Sequence, residues 1–160
     1  MGEDSIPSPA ALAAWRAFLT AHARLTERLE QELQAAVGMP LTWYDVLVQL
    51  TEAPDQRLRM HELARKVLLS RAGLTRLIDR MVAAGLVERV PCPDDRRGTY
   101  VALTAEGRRA NLEAAPAHLA GIHQHFARHI PPAALEEMTR AFNALVAALE
   151  QDCPGRLPPP

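Results

Sequence analysis

The chain has 160 residues, 48% of them hydrophobic and 23% charged, and a net charge of −1. This is ordinary globular usage and excludes an intrinsically disordered chain, while the length suits one domain, or one domain with an added dimerisation element. No apolar run approaches the roughly 18 residues of a membrane span. The acidic start Met1-Gly2-Glu3-Asp4-Ser5 does not read as a secretory leader. Two cysteines, Cys92 and Cys153, cannot build a disulfide framework, so a reducing, cytoplasmic setting is expected.

Pro7 and Pro9 precede a helical run from about Ala10 to Ala36. Its stripe of Leu12, Trp15, Phe18, Leu19, His22, Leu25, Leu29 and Leu33 has the spacing of one helix face. Gly38 and Pro40 end it. Thr42-Trp43-Tyr44-Asp45 reads as a capping box opening a short helix, Trp43 to Thr51, which Pro54 stops. After a polar loop at Asp55-Gln56-Arg57 comes a two-turn helix, Met60 to Val67. A break at Leu68-Leu69-Ser70 leads into a second helix, Arg71 to Ala84, with Ser70 as its N-cap and Gly85 as its stop. Leu63, Val67, Leu74, Leu77, Ile78 and Met81 are the expected inward face. Arg71, Thr75, Arg76 and Asp79 point the other way. Two short helices with a tight break form a helix-turn-helix arrangement.

The period then changes. Leu86-Val87-Glu88-Arg89-Val90 alternates like a strand, Pro91 to Gly98 forms a turn, and Thr99-Tyr100-Val101-Ala102-Leu103 is a second strand. Together they make a hairpin with a basic tip. Thr104 caps a helix running to about His129, with a disturbance expected at Pro116. Pro131 and Pro132 mark a turn. The last helix, about Ala133 to Gln151, carries Leu135, Met138, Phe142, Leu145, Val146 and Leu149 on one face.

Near-neutrality hides an asymmetry. From Arg57 to Arg109 there are 12 basic and six acidic residues, a net +6, and the rest of the chain carries −7. Eleven of those 12 are Arg, whose planar fork matches phosphate and guanine edges. A positive third between negative flanks is the footprint of a polyanion-binding module; an unevenly charged helical surface is the plain alternative.

The segments Leu86-Val87-Glu88-Arg89, Pro93-Asp94-Asp95-Arg96-Arg97-Gly98 and Val101-Ala102-Leu103-Thr104-Ala105-Glu106-Gly107 resemble the wing and following helix start of MarR-type transcriptional regulators. Leu63-Ala64 and Leu74-Thr75-Arg76-Leu77-Ile78-Asp79-Arg80-Met81 resemble their helix-turn-helix. The element order agrees over about 10 to 150. The resemblance implies a mostly α (α+β) protein, with a winged helix-turn-helix DNA-binding domain over 41–104 and dimerisation helices over 10–37 and 105–152. A tail over 1–9 and a disordered tail over 153–160 flank them. It also implies a homodimer on a palindromic operator in double-stranded DNA, usually a repressor, often relieved by a small-molecule effector. One departure is Cys92, where many relatives carry an acid, so the wing base is not expected to rest on the usual ionic contacts.

The residues assign roles independently. A helix of this length fits the major groove and its N-terminal dipole favours phosphate. Arg76 and Thr75 are the base-edge candidates, and Ser70 and Arg71 serve base edges or phosphate. Arg97 suits a narrow minor groove, with Asp95 supporting it in the wing. Arg96 reads as a phosphate contact, and Arg80 as a DNA contact or a partner of Asp79 or Glu62. Each could instead be solvated surface charge. Of the six histidines, His118, His125 and His129 could share one helical face and His123 does not join them; a sensor metal would suit such a group, yet no cysteine lies nearby and no acid sits between them, so no metal is expected. Cys92 lies near Arg89, Arg96 and Arg97 in a turn, which could lower its pKa into a redox range; an incidental thiol is the simpler reading. Trp15, His22 and Tyr44 stand where a dimer helix could meet the winged domain. In the resembled family ligands often bind near that junction, although core packing with satisfied polar tips accounts for them too. There is no Gly-rich phosphate loop, no His-Glu-x-x-His and no recognisable nucleophile with its base, so no enzyme or cofactor is expected. The second class of function open to such a chain is a winged-helix protein-interaction module without DNA.

Overall fold

A computed structural model describes residues 6–67, 71–92 and 95–151, and for Arg71, Asp95, Arg96, Arg97 and Glu150 it describes the backbone only. Ser70, Cys153 and the tail at 153–160 therefore lie outside the described residues, as do the side chains of Arg71, Asp95, Arg96 and Arg97. The chain forms two compact units, 1–121 and 122–160.

Helix α1, Pro9–Val37, starts where the Ser8 hydroxyl accepts the N–H of Ala11 at 3.1 Å. It ends at Gly38, whose φ of 67° is the left-handed C-cap that the sequence called for. Helix α2, Leu41–Glu52, begins two residues before the expected Trp43 and uses no local capping box. Its N-cap position is Pro40, which has no side-chain acceptor. Glu30 of α1 takes over, accepting the Leu41 N–H at 2.7 Å and placing a carboxylate at the positive end of α2. A local motif cannot reveal a cap that arrives from another helix.

After a 3₁₀ turn at Pro54–Gln56, a strand β1, Arg57–Arg59, occupies part of the expected loop. Helix α3, Met60–Lys66, follows at once, with the Glu62 carboxylate accepting the Arg59 N–H at 2.8 Å. Helix α4 is Arg71–Ala83. Strands β2, Val87–Cys92, and β3, Asp95–Leu103, are longer than expected and reach into the stretch Pro91 to Gly98 that the sequence reads as a turn. Pro91 is tolerated because β2 is an edge strand: the antiparallel order is β1-β3-β2. Pairing is regular from Val87↔Leu103 to Pro91↔Thr99 and then shifts to Cys92↔Asp95.

The sheet has two faces. Leu58, Val87, Val101 and Leu103 point into the core with Leu47, Leu50, Leu63, Leu74, Leu77, Ile78 and Met81, all buried. The other face carries Arg57, Arg59 and Tyr100, each half-buried. Helix α5, Ala105–His125, runs through Pro116 and stops short of the expected His129, which lies in a 3₁₀ turn at Ala127–His129. Thr104 does cap α5, its hydroxyl accepting the Gly107 N–H at 3.0 Å. A side chain on Gly107 would run into the carbonyl of Leu86, so only glycine lets α5 lie this close to the start of β2. Buried Asn111 donates to the Thr51 hydroxyl at 3.1 Å, which donates to the Leu47 carbonyl at 2.7 Å and joins α5 to α2.

In the second unit, helix α6, Pro132–Gln151, opens on proline at a position whose N–H needs no partner. Phe142, Leu145, Val146 and Leu149 are exposed along it.

Candidate nucleic-acid interface

Helix α4 is divided lengthwise. Leu74, Leu77, Ile78 and Met81 are buried, and Thr75, Arg76, Asp79 and Arg80 are exposed. This is the helical period at work: residues three and four apart share a face. Arg76, Asp79 and Arg80 line one open hollow on the surface.

The cations around it differ in how they are engaged. Arg89 on β2 holds Asp79 at 2.6 Å, tying the wing strand to α4. Arg57 pairs with Asp55 at 3.2 Å, and Arg109 with Glu106 at 2.6 Å. Among the described residues no carboxylate pairs with Arg76 or Arg80. The structural role considered for Arg80, pairing with Asp79 or Glu62, gives way: Asp79 is held by Arg89 and Glu62 by the Arg59 N–H. Two uncommitted guanidinium groups one turn apart can therefore reach an external acceptor.

Sequence reasoning did not find a cluster on the outer sheet face. Arg59 stands opposite Tyr100 in the β1–β3 register. The Arg57 and Arg59 guanidinium carbons lie 4.9 and 5.6 Å from the Tyr100 ring centroid, within cation–π range. The Arg59 Nη2 also donates to Cys92 Sγ at 3.4 Å. Cys92 is thus a buried thiol at the end of a strand with Arg59 against it, where the sequence reads as a turn. The alternation Arg57-Leu58-Arg59 was the available signal, but three residues are too few to read as a strand.

Trp15 and His22 belong to an exposed aromatic ladder on α1, in which Phe18 lies 6.0 Å from Trp15 and 6.1 Å from His22. Tyr44 is buried on α2 and tilts against His118 of α5, with centroids 4.6 Å apart. Burial holds the His118 imidazole below its ordinary pKa, against the pull of Asp45, and raises the Tyr44 phenol, with Asp45 and Glu52 adding to the rise. His118 Nδ1 is buried and makes no hydrogen bond among the described residues.

A helix pair on a three-stranded sheet, with an exposed basic helix edge beside a hairpin, defines a winged helix-turn-helix protein. Comparison with known proteins agrees. The profile of the MarR family matches residues 37–98. The crystal structure of AbsC, a MarR family transcriptional regulator from Streptomyces coelicolor, superposes with a TM-score of 0.84 at 33% identity, covering 92% of this chain and 99% of that one. A second MarR family regulator of that organism, solved in complex with DNA, gives a TM-score of 0.87 at 30% identity over 94% of this chain and 95% of its own. The multiple antibiotic resistance protein MarR of Escherichia coli is 46% identical over 46 residues, 29% of this chain and 32% of that protein. The chain belongs to the MarR family of transcriptional regulators.

Proposed function

We propose that this protein is a sequence-specific DNA-binding regulator, acting in the cytoplasm as a homodimeric repressor on a palindromic operator and released by a small-molecule effector. The observation that carries the reading is the exposed edge of α4, where Arg76 and Arg80 have no carboxylate partner among the described residues while the opposite edge is locked in the core. In the major groove, Arg76 takes a guanine edge and Thr75 a neighbouring base, and Arg80 faces phosphate. Ser70 and Arg71 serve the first turn of that helix, where the dipole favours anions. Arg97 enters the minor groove from the wing with Asp95 supporting it, and Arg96 meets phosphate. Dimerisation follows from exposed apolar side chains. Leu12, Trp15, Phe18 and Leu19 stand on α1, and Phe142, Leu145, Val146 and Leu149 on α6. Patches of this kind mark association surfaces, and a two-fold dimer sets two recognition helices about one DNA turn apart.

The test is a titration of duplex DNA with wild type, Arg76→Ala and Arg97→Ala at several salt concentrations. Arg76→Ala should cost about 1–3 kcal/mol and relax preference at one position in each half-site. Arg97→Ala should weaken binding and flatten the salt dependence. Unchanged affinity for both folded variants would point instead to a protein-interaction module.

A further inference from the structure

We infer that Arg59 is a positioning residue for the wing: it spans all three strands and sets the direction in which the β2–β3 hairpin leaves the sheet. The inference rests on the reading that the wing touches DNA. Arg59 lies in β1 and its N–H is bonded to Glu62 at 2.8 Å, so its main chain is fixed to the first turn of α3. Its guanidinium lies 5.6 Å from the ring centroid of Tyr100 on β3, the residue directly opposite. The same group donates to Cys92 Sγ on β2 at 3.4 Å. One side chain therefore links the helix-turn-helix to both wing strands.

The contact falls where the wing needs support. The β2–β3 ladder is regular up to Pro91↔Thr99 and breaks between Pro91 and Cys92. A break in register leaves residues out of the ladder and bends the strand pair. Arg59 bonds to the residue just past that break, and Cys92 is only 4% exposed beneath it. A planar guanidinium can lie on an aromatic ring and direct an edge N–H at sulfur together. A lysine ammonium keeps the charge but not the plane or the fork. Arg57, two residues earlier on the same face, lies 4.9 Å from the ring but is drawn to Asp55.

The experiment uses the full chain and a duplex carrying the site enriched from random DNA. Binding is titrated against salt for wild type, Arg97→Ala, Arg59→Lys, their double variant, Tyr100→Phe and Tyr100→Leu, each with a thermal melt. Arg97→Ala weakens binding by roughly tenfold and lowers the salt slope by about two, one cation from each half-site. Arg59→Lys, although it keeps the charge, weakens binding and lowers the slope to a similar extent. Because both act through the wing, the double variant binds within about twofold of either single variant. Tyr100→Phe keeps the ring and binds like wild type, and Tyr100→Leu behaves like Arg59→Lys. Wild-type binding by Arg59→Lys overturns the inference, as does a double variant in which the two losses multiply. A melt of Arg59→Lys or Tyr100→Leu that accounts for its lost binding also overturns it, by showing a merely structural role. If Arg97→Ala alone binds like wild type, it is the wing–DNA reading that falls.

Discussion

Along α1, apolar residues recur every three or four positions from Leu12 to Leu33, yet Leu29 and Leu33 are buried while Leu12, Trp15, Phe18 and Leu19 are exposed. The lower half is covered from within its own unit: Gly121 of α5 comes so close that a side chain there would meet Leu29 and Glu32. The upper half keeps its aromatic ladder in the open. One pattern thus serves two purposes. The buried half stabilises the folded chain, and the exposed half is the surface that the proposed dimer covers. Periodicity states that a helix has an apolar face; it does not state whose surface will meet it.

The sharpest way to break this comparison is to damage the buried half. Leu33, 1% exposed, changed to Ala should cost about 2–5 kcal/mol, the lost transfer energy plus the cavity left behind. Urea unfolding would read this, and a loss below 1 kcal/mol would mean that the lower half is not a core element. Next comes the exposed half. Trp15→Glu combined with Leu19→Glu should weaken self-association by about 2 kcal/mol or more, as loss of a central anchor does. The monomer should keep its helical signal, because nothing in its own core is removed. Sedimentation across protein concentration would show this, and an unchanged dimer, or an unfolded chain, would count against the division.

Much of this organisation was legible beforehand. The long helix, its stop at Gly38, the α3–α4 pair, the hairpin and the Thr104 cap all follow from local signals. So does the exposed edge of α4, since Thr75, Arg76 and Asp79 follow from the helical period alone. What could not be read depended on residues far apart in sequence. Glu30 caps α2 from α1, Arg89 claims Asp79, and His118 meets Tyr44. Cys92 was placed in a turn because Pro91 suggested one, and an edge strand removes that objection.

A smaller effect sharpens the account of how the buried half is held. Gly107→Ala puts a methyl group against backbone at Leu86, which cannot swing aside as a side chain can. It should cost about 1–3 kcal/mol, typical of overpacking. A melt within error of wild type would mean that α5 shifts freely along the sheet, which the Thr104 and Asn111 bonds argue against.

The smallest expected effect is a pH dependence at the α2–α5 contact. Burial lowers the His118 pKa from its ordinary 6.5, so the unfolded chain binds this proton more readily than the folded one. The contribution to stability is therefore full above about 6.5 and is lost as pH falls from there through the lower folded value. His118→Gln should flatten that part of the profile. Melting wild type and variant side by side at about pH 7.5 and about pH 5.5 tests the sign. A wild type that gains stability relative to the variant on acidification would reverse it.

The central claim is that the exposed edge of α4 reads DNA sequence. Its most direct test is selection of bound duplexes from random DNA at near-physiological salt, using wild type and Arg76→Ala. The account predicts that wild type enriches a palindrome with half-sites about one helical turn apart. It further predicts that Arg76→Ala loses preference at one symmetric pair of positions while keeping the rest. No enrichment by the folded wild-type protein, or an identical palindrome from both, would contradict it.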